Sequence, residues 1–258
     1  MAQNTQLQER YSALVEAKLR KTSVFAGLFN NRYEGEPKAG AVKVPVRADA
    51  TAQDYDITNG VNMSVPSTSY QTIVLDKDKA INELIDGYVA NAVPDGMIAD
   101  RLDSAGYALG SAVDASLLAL FAEATGECDT STNVIKAIIK TAAKAKAAGV
   151  DPNAIWIAVA PDVEADIITD SLFVHASADV KTGQIGTLGG YPVVVSARMT
   201  AGSFIVGNSD FCHFVNEYAV APEVKDLADG SHIGASAVQG RMIYGALLSK
   251  PETVFVKA

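Results

Sequence analysis

Between Ile98 and Phe121 the apolar side chains Ile98, Leu102, Ala105, Leu109, Ala112, Val113, Leu117, Leu120 and Phe121 recur at intervals of three and four, the spacing that keeps one face of an α-helix apolar. The pattern predicts a helix over 97–123, with Asp95 after Pro94 as its N-cap. At 1.5 Å per residue such a helix runs roughly 40 Å, long enough to span a whole domain. The rest of the chain must therefore be arranged along this spine. Leu102, Leu109 and Leu117 are its expected core contacts, and Asp114 lies one position off the stripe, where pairing with a basic side chain and simple solvation both fit.

Upstream, the character of the chain changes twice. Residues 6–21 put Leu7, Tyr11, Leu14, Val15 and Leu19 on one helical stripe, and the Gly/Asn-rich stretch that follows reads as irregular chain, so this helix is expected to be an arm. Residues 1–48 carry eight basic side chains, Arg10, Lys18, Arg20 and Lys21 among them, against four acids. A basic arm on an acidic body is complementary to a second copy of the chain, with Arg10, Lys18, Arg20 and Lys21 as candidate contacts; a solvated helix without a partner satisfies the same composition. From residue 41 the period becomes two: Val42, Val44 and Val46 alternate with polar or small neighbours, and a second strand-like run covers Tyr70 to Leu75. The long polar stretch between them contains Asn59-Gly60, a two-residue turn signal in which both backbones take positive φ. Residues 41–76 thus read as a projecting hairpin that reaches on the order of 50 Å. An isolated hairpin is marginal in water, so its tip, with Tyr55, Ile57, Val61 and Met63, is expected to rest on another subunit. Residues 76–92 read as a strand burying Ala80, Ile81, Leu84 and Ile85, although a short helix fits the spacing almost as well.

Downstream of the spine, an alanine- and lysine-rich helix is expected over Val134 to Ala148, stopped by Gly149. A buried strand, Ala154 to Ala160, leads into a short helix from Pro161 to Ile168; 170–192 read as loop and turn. Further strands are expected at 193–196, 204–206, 211–215, 241–247 and 253–256. The class is α+β, built as subdomains of one unit.

The 258 residues are 48% hydrophobic, ample for a buried core. No run of roughly 18 consecutive apolar residues marks a membrane span, and the first residues lack a secretory pattern, so a cytosolic product with Cys128 and Cys212 as reduced thiols is expected. A formal charge of -9 opposes general nucleic-acid binding. The motifs of catalysis are missing. Gly183, Gly186, Gly189 and Gly190 fit neither dinucleotide nor P-loop spacing and read as turn glycines. Ser209, Asp210 and His213 lack the elbow around a nucleophilic serine. Cys212 and His213 alternate on a strand, and His175 and His232 have no partner at ligand spacing. Asp76 and Asp78 lack a calcium loop and read as solvated beside Lys77 and Lys79. No catalytic, cofactor or metal site is expected.

The order of arm, hairpin, spine helix and closing α+β region resembles the HK97-fold major capsid proteins of tailed bacteriophages. IVLDKDKAINELIDGYVANAVPDGMIADRLDSAGYALGSAVD (73–114) is similar to that family's passage from extended loop into spine helix, and GVDPNAIWIAVAPDVEADIITDSLF (149–173) to its axial strand, proline and helix. VKTGQIGTLGGYPVVVSARM (180–199) resembles its glycine-rich turn, and RMIYGALLSKPETVFV its closing segment. The resemblance implies an N-terminal arm (1–39), an extended loop (40–76), a peripheral domain (77–129 and 231–258) and an axial domain (130–230). It also implies a subunit of hexamers and pentamers in an icosahedral virion shell. That shell encloses double-stranded DNA without sequence-specific binding and is assembled in the host bacterial cytoplasm with a separate scaffolding protein and a portal. Within the fold, an encapsulin-like nanocompartment subunit is the alternative; outside it, a soluble α+β enzyme with an unrecognised site.

Overall fold

The computed structural model describes residues 24–32, 41–47, 52–61, 63, 65, 67–86, 97–179, 184–227 and 234–257. The expected arm helix with Arg10, Lys18, Arg20 and Lys21, the Asp95 cap and His232 lie outside them.

The elements are β1 (Ala41–Arg47), β2 (Thr68–Val74), β3 (Lys77–Ile85), α1 (Met97–Leu120), α2 (Val134–Ala147), β4 (Ile155–Val159), α3 (Pro161–Ile168), β5 (Phe173–Asp179), β6 (Gln184–Leu188), β7 (Tyr191–Val195), β8 (Phe204–Asn208), β9 (Cys212–Asp226), β10 (Ser236–Leu248) and β11 (Phe255–Lys257). They form a two-stranded hairpin β1-β2, a three-stranded sheet in the order β3-β10-β9, and a six-stranded sheet in the order β11-β8-β4-β7-β6-β5.

The six-stranded sheet is the heart of the molecule because both of its faces are covered. Every residue of β4, Ile-Trp-Ile-Ala-Val, is buried, and a strand covered on two sides needs a continuous apolar run rather than alternation. On one face Ile155, Ile157 and Val159 pack with Ile135 and Ile138 of α2 and Val163 and Ile167 of α3. On the other, Trp156, Ala158, Val194 and Ile205 meet Leu109, Val113, Leu117 and Phe121 of the spine, together with Met242, Tyr244 and Leu248 of β10. The spine therefore lies between the two larger sheets. Ser104–Glu123 is long and apolar enough to cross a bilayer by length and composition, but its stripe of Ala105, Leu109, Val113, Leu117 and Phe121, four residues apart, is buried in protein. Leu109 and Leu117 are buried; the Leu102 side chain is outside the described residues.

Several expectations need correction. β3 is a strand, yet only Ile85 is buried; Ile81 is half-buried, and Ala80 and Leu84 face outward. A period of two puts 81 and 85 on one face and 80 and 84 on the other, and only the face of 81 and 85 is covered, by Ala105 of the spine. The expected loop 170–192 contains the β5-β6 hairpin. β5 is an edge strand with little apolar periodicity to reveal it. β9 runs to Asp226, not to Val215, and Pro222 falls where its register with β10 shifts between Gln239 and Arg241. A proline at an irregularity of an edge strand removes no regular ladder bond. The sheets also cut across the expected division at residue 230. β9 belongs to the three-stranded sheet, and β11, at the C-terminal end, pairs with β8 in the six-stranded one.

Candidate functional site

The hairpin is built from an alternating base and an uncovered tip. β1 and β2 pair antiparallel from Ala41↔Val74 to Arg47↔Thr68. Val42, Val44 and Ile73 turn inward onto Val215, with Leu247 packed alongside, while Lys43, Pro45, Tyr70 and Thr72 face out. The Gln71 side-chain amide donates to the Ser249 carbonyl at 3.0 Å. Gly245 of β10 lies close under β2: a Cβ there would meet the Val74 carbonyl group.

At the far end the chain turns back through Asp56–Gly60. Gly60 N–H donates to the Asp56 carbonyl at 2.8 Å, and Gly60 has φ +70. The Asp56 carboxylate accepts the Thr58 N–H and the Asn59 side-chain amide, both at 2.8 Å. These bonds, the Thr58 N–H foremost, hold its carboxyl below the ordinary value. The turn is thus wider than the two-residue Asn59-Gly60 form expected, with three residues between the bridged Asp56 and Gly60. The extra residue lets the Asp56 side chain close the loop where a tight turn would need positive φ at two positions. Around this tip Tyr55, Ile57, Val61, Met63 and Val65 are exposed, Ile57 to 92% and Met63 to 95%.

A second constellation lies where the N-terminal segment meets the spine. Asp114 is 1% exposed. Its two carboxylate oxygens accept the backbone N–H groups of Val24 (2.9 Å) and Phe25 (3.1 Å). Arg198, in the loop between β7 and β8, places Nη1 4.0 Å from the same carboxylate. That guanidinium also donates to the Ser111 carbonyl at 2.5 Å and contacts the Ser111 hydroxyl. Beyond the carboxylate, Phe25 and Phe29 insert against Phe121 and Trp156, with ring centroids 5.6 to 6.5 Å apart. Asn30 then bridges to β9, its N–H donating to the Cys212 carbonyl at 2.8 Å. The sequence left Asp114 open between pairing with a basic side chain and solvation, and two backbone donors some 90 positions upstream leave no signal in side-chain pattern.

Asp76, Asp78 and His213 have structural partners. Asp78 receives a two-pronged contact from Arg241 across the β3-β10 pair, at 3.0 and 2.5 Å, where proximity in sequence pointed to Lys77 and Lys79. Asp76 does pair with Lys77, at 2.6 Å. His213 Nε2 lies 3.2 Å from the Ser249 hydroxyl, far along the chain from Ser209. Burial lowers the imidazole's pKa and pushes the Cys212 thiol up to about 12. Gly189 and Gly190, with φ +60 and +93, make the turn between β6 and β7. Among the described residues no three His, Cys, Asp or Glu side chains gather as a metal site.

The model of a family described as phage capsid protein matches residues 79–256. The chain belongs to this phage capsid protein family. No curated protein sequence matches it. Among solved structures, a capsid structure of the cyanophage P-SCSP1u is similar over 95% of this chain and 90% of that one, with TM-score 0.71 and 12% identity. A Mycobacterium phage Che8 structure gives TM-score 0.68 and 19% identity over 91% and 90% of the two chains. A Mycobacterium phage Adephagia structure covers 98% and 94%, with TM-score 0.63 and 14% identity. The fold is that of the HK97-like capsid proteins, and the role is that of a phage major capsid protein, a structural component of the virion. Neither the nanocompartment nor the enzyme alternative is favoured.

Proposed function

We propose that this capsid protein forms the icosahedral shell of a tailed phage as hexamers and pentamers around double-stranded DNA, and that the extended loop is its principal contact with a neighbouring subunit. The observation that carries this reading is the loop tip. Five apolar side chains, Tyr55, Ile57, Val61, Met63 and Val65, stand exposed on a segment ordered by its own turn and, among the described residues, joined to the body through the hairpin base. Exposed apolar groups concentrated on a projecting element fit burial against a partner, and in a shell of identical subunits that partner is the next copy. An acidic chain suits a wall on which packaged DNA slides without adhering. Such a role asks for no chemistry from the chain.

By the same resemblance, α1 with the three-stranded sheet is the peripheral region and the six-stranded sheet with α2 and α3 the axial region, with the sheet memberships described above replacing a boundary at 230. The N-terminal arm, through Arg10, Lys18, Arg20 and Lys21, contributes a second intersubunit contact. A separate scaffolding protein, a portal and assembly in the bacterial cytoplasm complete the proposal.

The test replaces residues 52–62 by a short Gly-Ser turn. The subunit should melt within about 1 kcal/mol of the parent, as for a change outside the core, while electron microscopy shows failed or salt-fragile particles. Normal particles would remove the loop's role. Hydrogen exchange should be fast in the tip of free subunits and slow in shells; equal protection in both states would mean that the loop folds on its own subunit.

A further inference from the structure

We propose that Asp114 is the positioning residue of the N-terminal arm, and that Arg198 couples this anchorage to the six-stranded sheet. The inference rests on the proposed assembly role of the arm and adds how the arm is aimed.

Among the described residues, three pieces of chain meet at this carboxylate. The spine supplies Asp114 itself. The segment after the arm supplies two consecutive backbone donors, one to each oxygen, Val24 at 2.9 Å and Phe25 at 3.1 Å. The β7-β8 loop supplies Arg198, 4.0 Å from one of those oxygens and held to Ser111 one helical turn earlier on the spine. Each of these consecutive amides has its own oxygen, and a carboxylate supplies both acceptors side by side where an asparagine would turn a donor toward one of them. Bonds to the ionised form are roughly twice as strong as neutral ones. A buried negative charge would be costly alone, and the Arg198 guanidinium, itself only 15% exposed, lies close enough to offset it.

The consequence for assembly follows from connectivity. Phe25 and Phe29 fill an apolar site that could accept aromatic rings in more than one setting, since burial is not directional. The two N–H bonds are directional. They fix where Val24 stands on the spine, and so the point from which residues 1–23 set out. Because Arg198 belongs to a loop of the six-stranded sheet, a displacement of that sheet along the spine would withdraw the guanidinium from the carboxylate and loosen the root. The arm's starting point is therefore tied to the relative placement of the spine and the sheet.

Hydrogen exchange on unassembled full-length subunits tests this without relying on shells. In the parent, the Val24 and Phe25 amides should be protected. Asp114→Asn puts an N–H donor where one oxygen stood, so the peptide spanning 22–32 should exchange at least tenfold faster while β4 and β8 keep their protection. Arg198→Gln should accelerate the same peptide by several-fold, although the hydrogen bonds of the Arg198 guanidinium run to Ser111 on the spine. Parent-like exchange of 22–32 in Asp114→Asn overturns the anchorage, and parent-like exchange in Arg198→Gln overturns the coupling. Should Asp114→Asn fail to fold, unprotected Val24 and Phe25 amides in the parent would overturn the anchorage directly. Particle yield is read separately. A loosened root with normal shells would leave the anchorage standing and refute the arm's assembly role.

Discussion

Gly245→Ala isolates the seat of the extended loop. A Cβ at residue 245 would lie 2.9 Å from the Val74 carbonyl carbon and closer still to its oxygen. Ordinary contact between non-bonded heavy atoms needs roughly 3.5 Å, so β2 must rise by roughly 1 Å. The next tie is the Gln71–Ser249 hydrogen bond, three residues away and about 10 Å along the strand at ~3.3 Å per residue. A rise of roughly 1 Å over that baseline tilts the hairpin by about 6°. Ile57 lies at most about 45 Å beyond Gln71 if the chain is extended, so the tip moves by up to about 4–5 Å. Overpacking of this kind costs about 1–3 kcal/mol, which for a chain of this size lowers the melting temperature by roughly 2–12 °C. The subunit should therefore stay folded, by circular dichroism and thermal melting, while sedimentation and electron microscopy reveal lost or misshapen shells. Parent-like shells at parent-like yield would refute the lever. Complete loss of folded subunit would refute the local cost.

Three further outcomes are expected. Leu117→Ala empties a fully buried position between Phe121 and the spine's other core residues, so it should cost about 2–5 kcal/mol in denaturant unfolding of the subunit; a loss below about 1 kcal/mol would mean that the spine is not packed as described. Because burial raises the Cys212 thiol to about 12, a thiolate-directed reagent at pH 8 should leave it unmodified in the native subunit and titrate both Cys128 and Cys212 after denaturation; native labelling of Cys212 would refute its burial. Burial depresses the His213 pKa, so the unfolded chain takes up a proton more readily than the folded one: the stability it contributes is whole above the ordinary imidazole value of about 6.5 and is lost as pH falls through the folded value. Between pH 7 and 5 the melting temperature of His213→Asn should accordingly fall less steeply than that of the parent, and equal slopes would show that His213 does not carry the dependence.

The elements legible from the residues alone are those that depend on local period. The spine, α2, β4 and α3 follow from apolar spacing and from Pro161 and Gly149 at their ends, and the alternation of Val42 and Val44 marks the hairpin base, because these patterns are dictated by the pitch of a helix or the pleat of a strand. The Asn59-Gly60 signal falls within the Asp56–Gly60 turn but does not give its width, since an Asp56 side chain can replace backbone geometry in closing a turn. Tertiary structure alone decided the rest. β5 and the far half of β9 are edge strands whose side chains have one sheet neighbour and little apolar period, so nothing local distinguishes them from loop. Ala80 and Leu84 became outward-facing only when β3 paired with β10 and fixed which face met the spine. Asp78 found Arg241 rather than its sequence neighbours because antiparallel pairing brought position 241 opposite position 80. The anchorage of Val24 and Phe25 on Asp114 is the extreme case: its donors are backbone groups that every residue but proline carries, and only the folded chain selects which of them a buried carboxylate will meet.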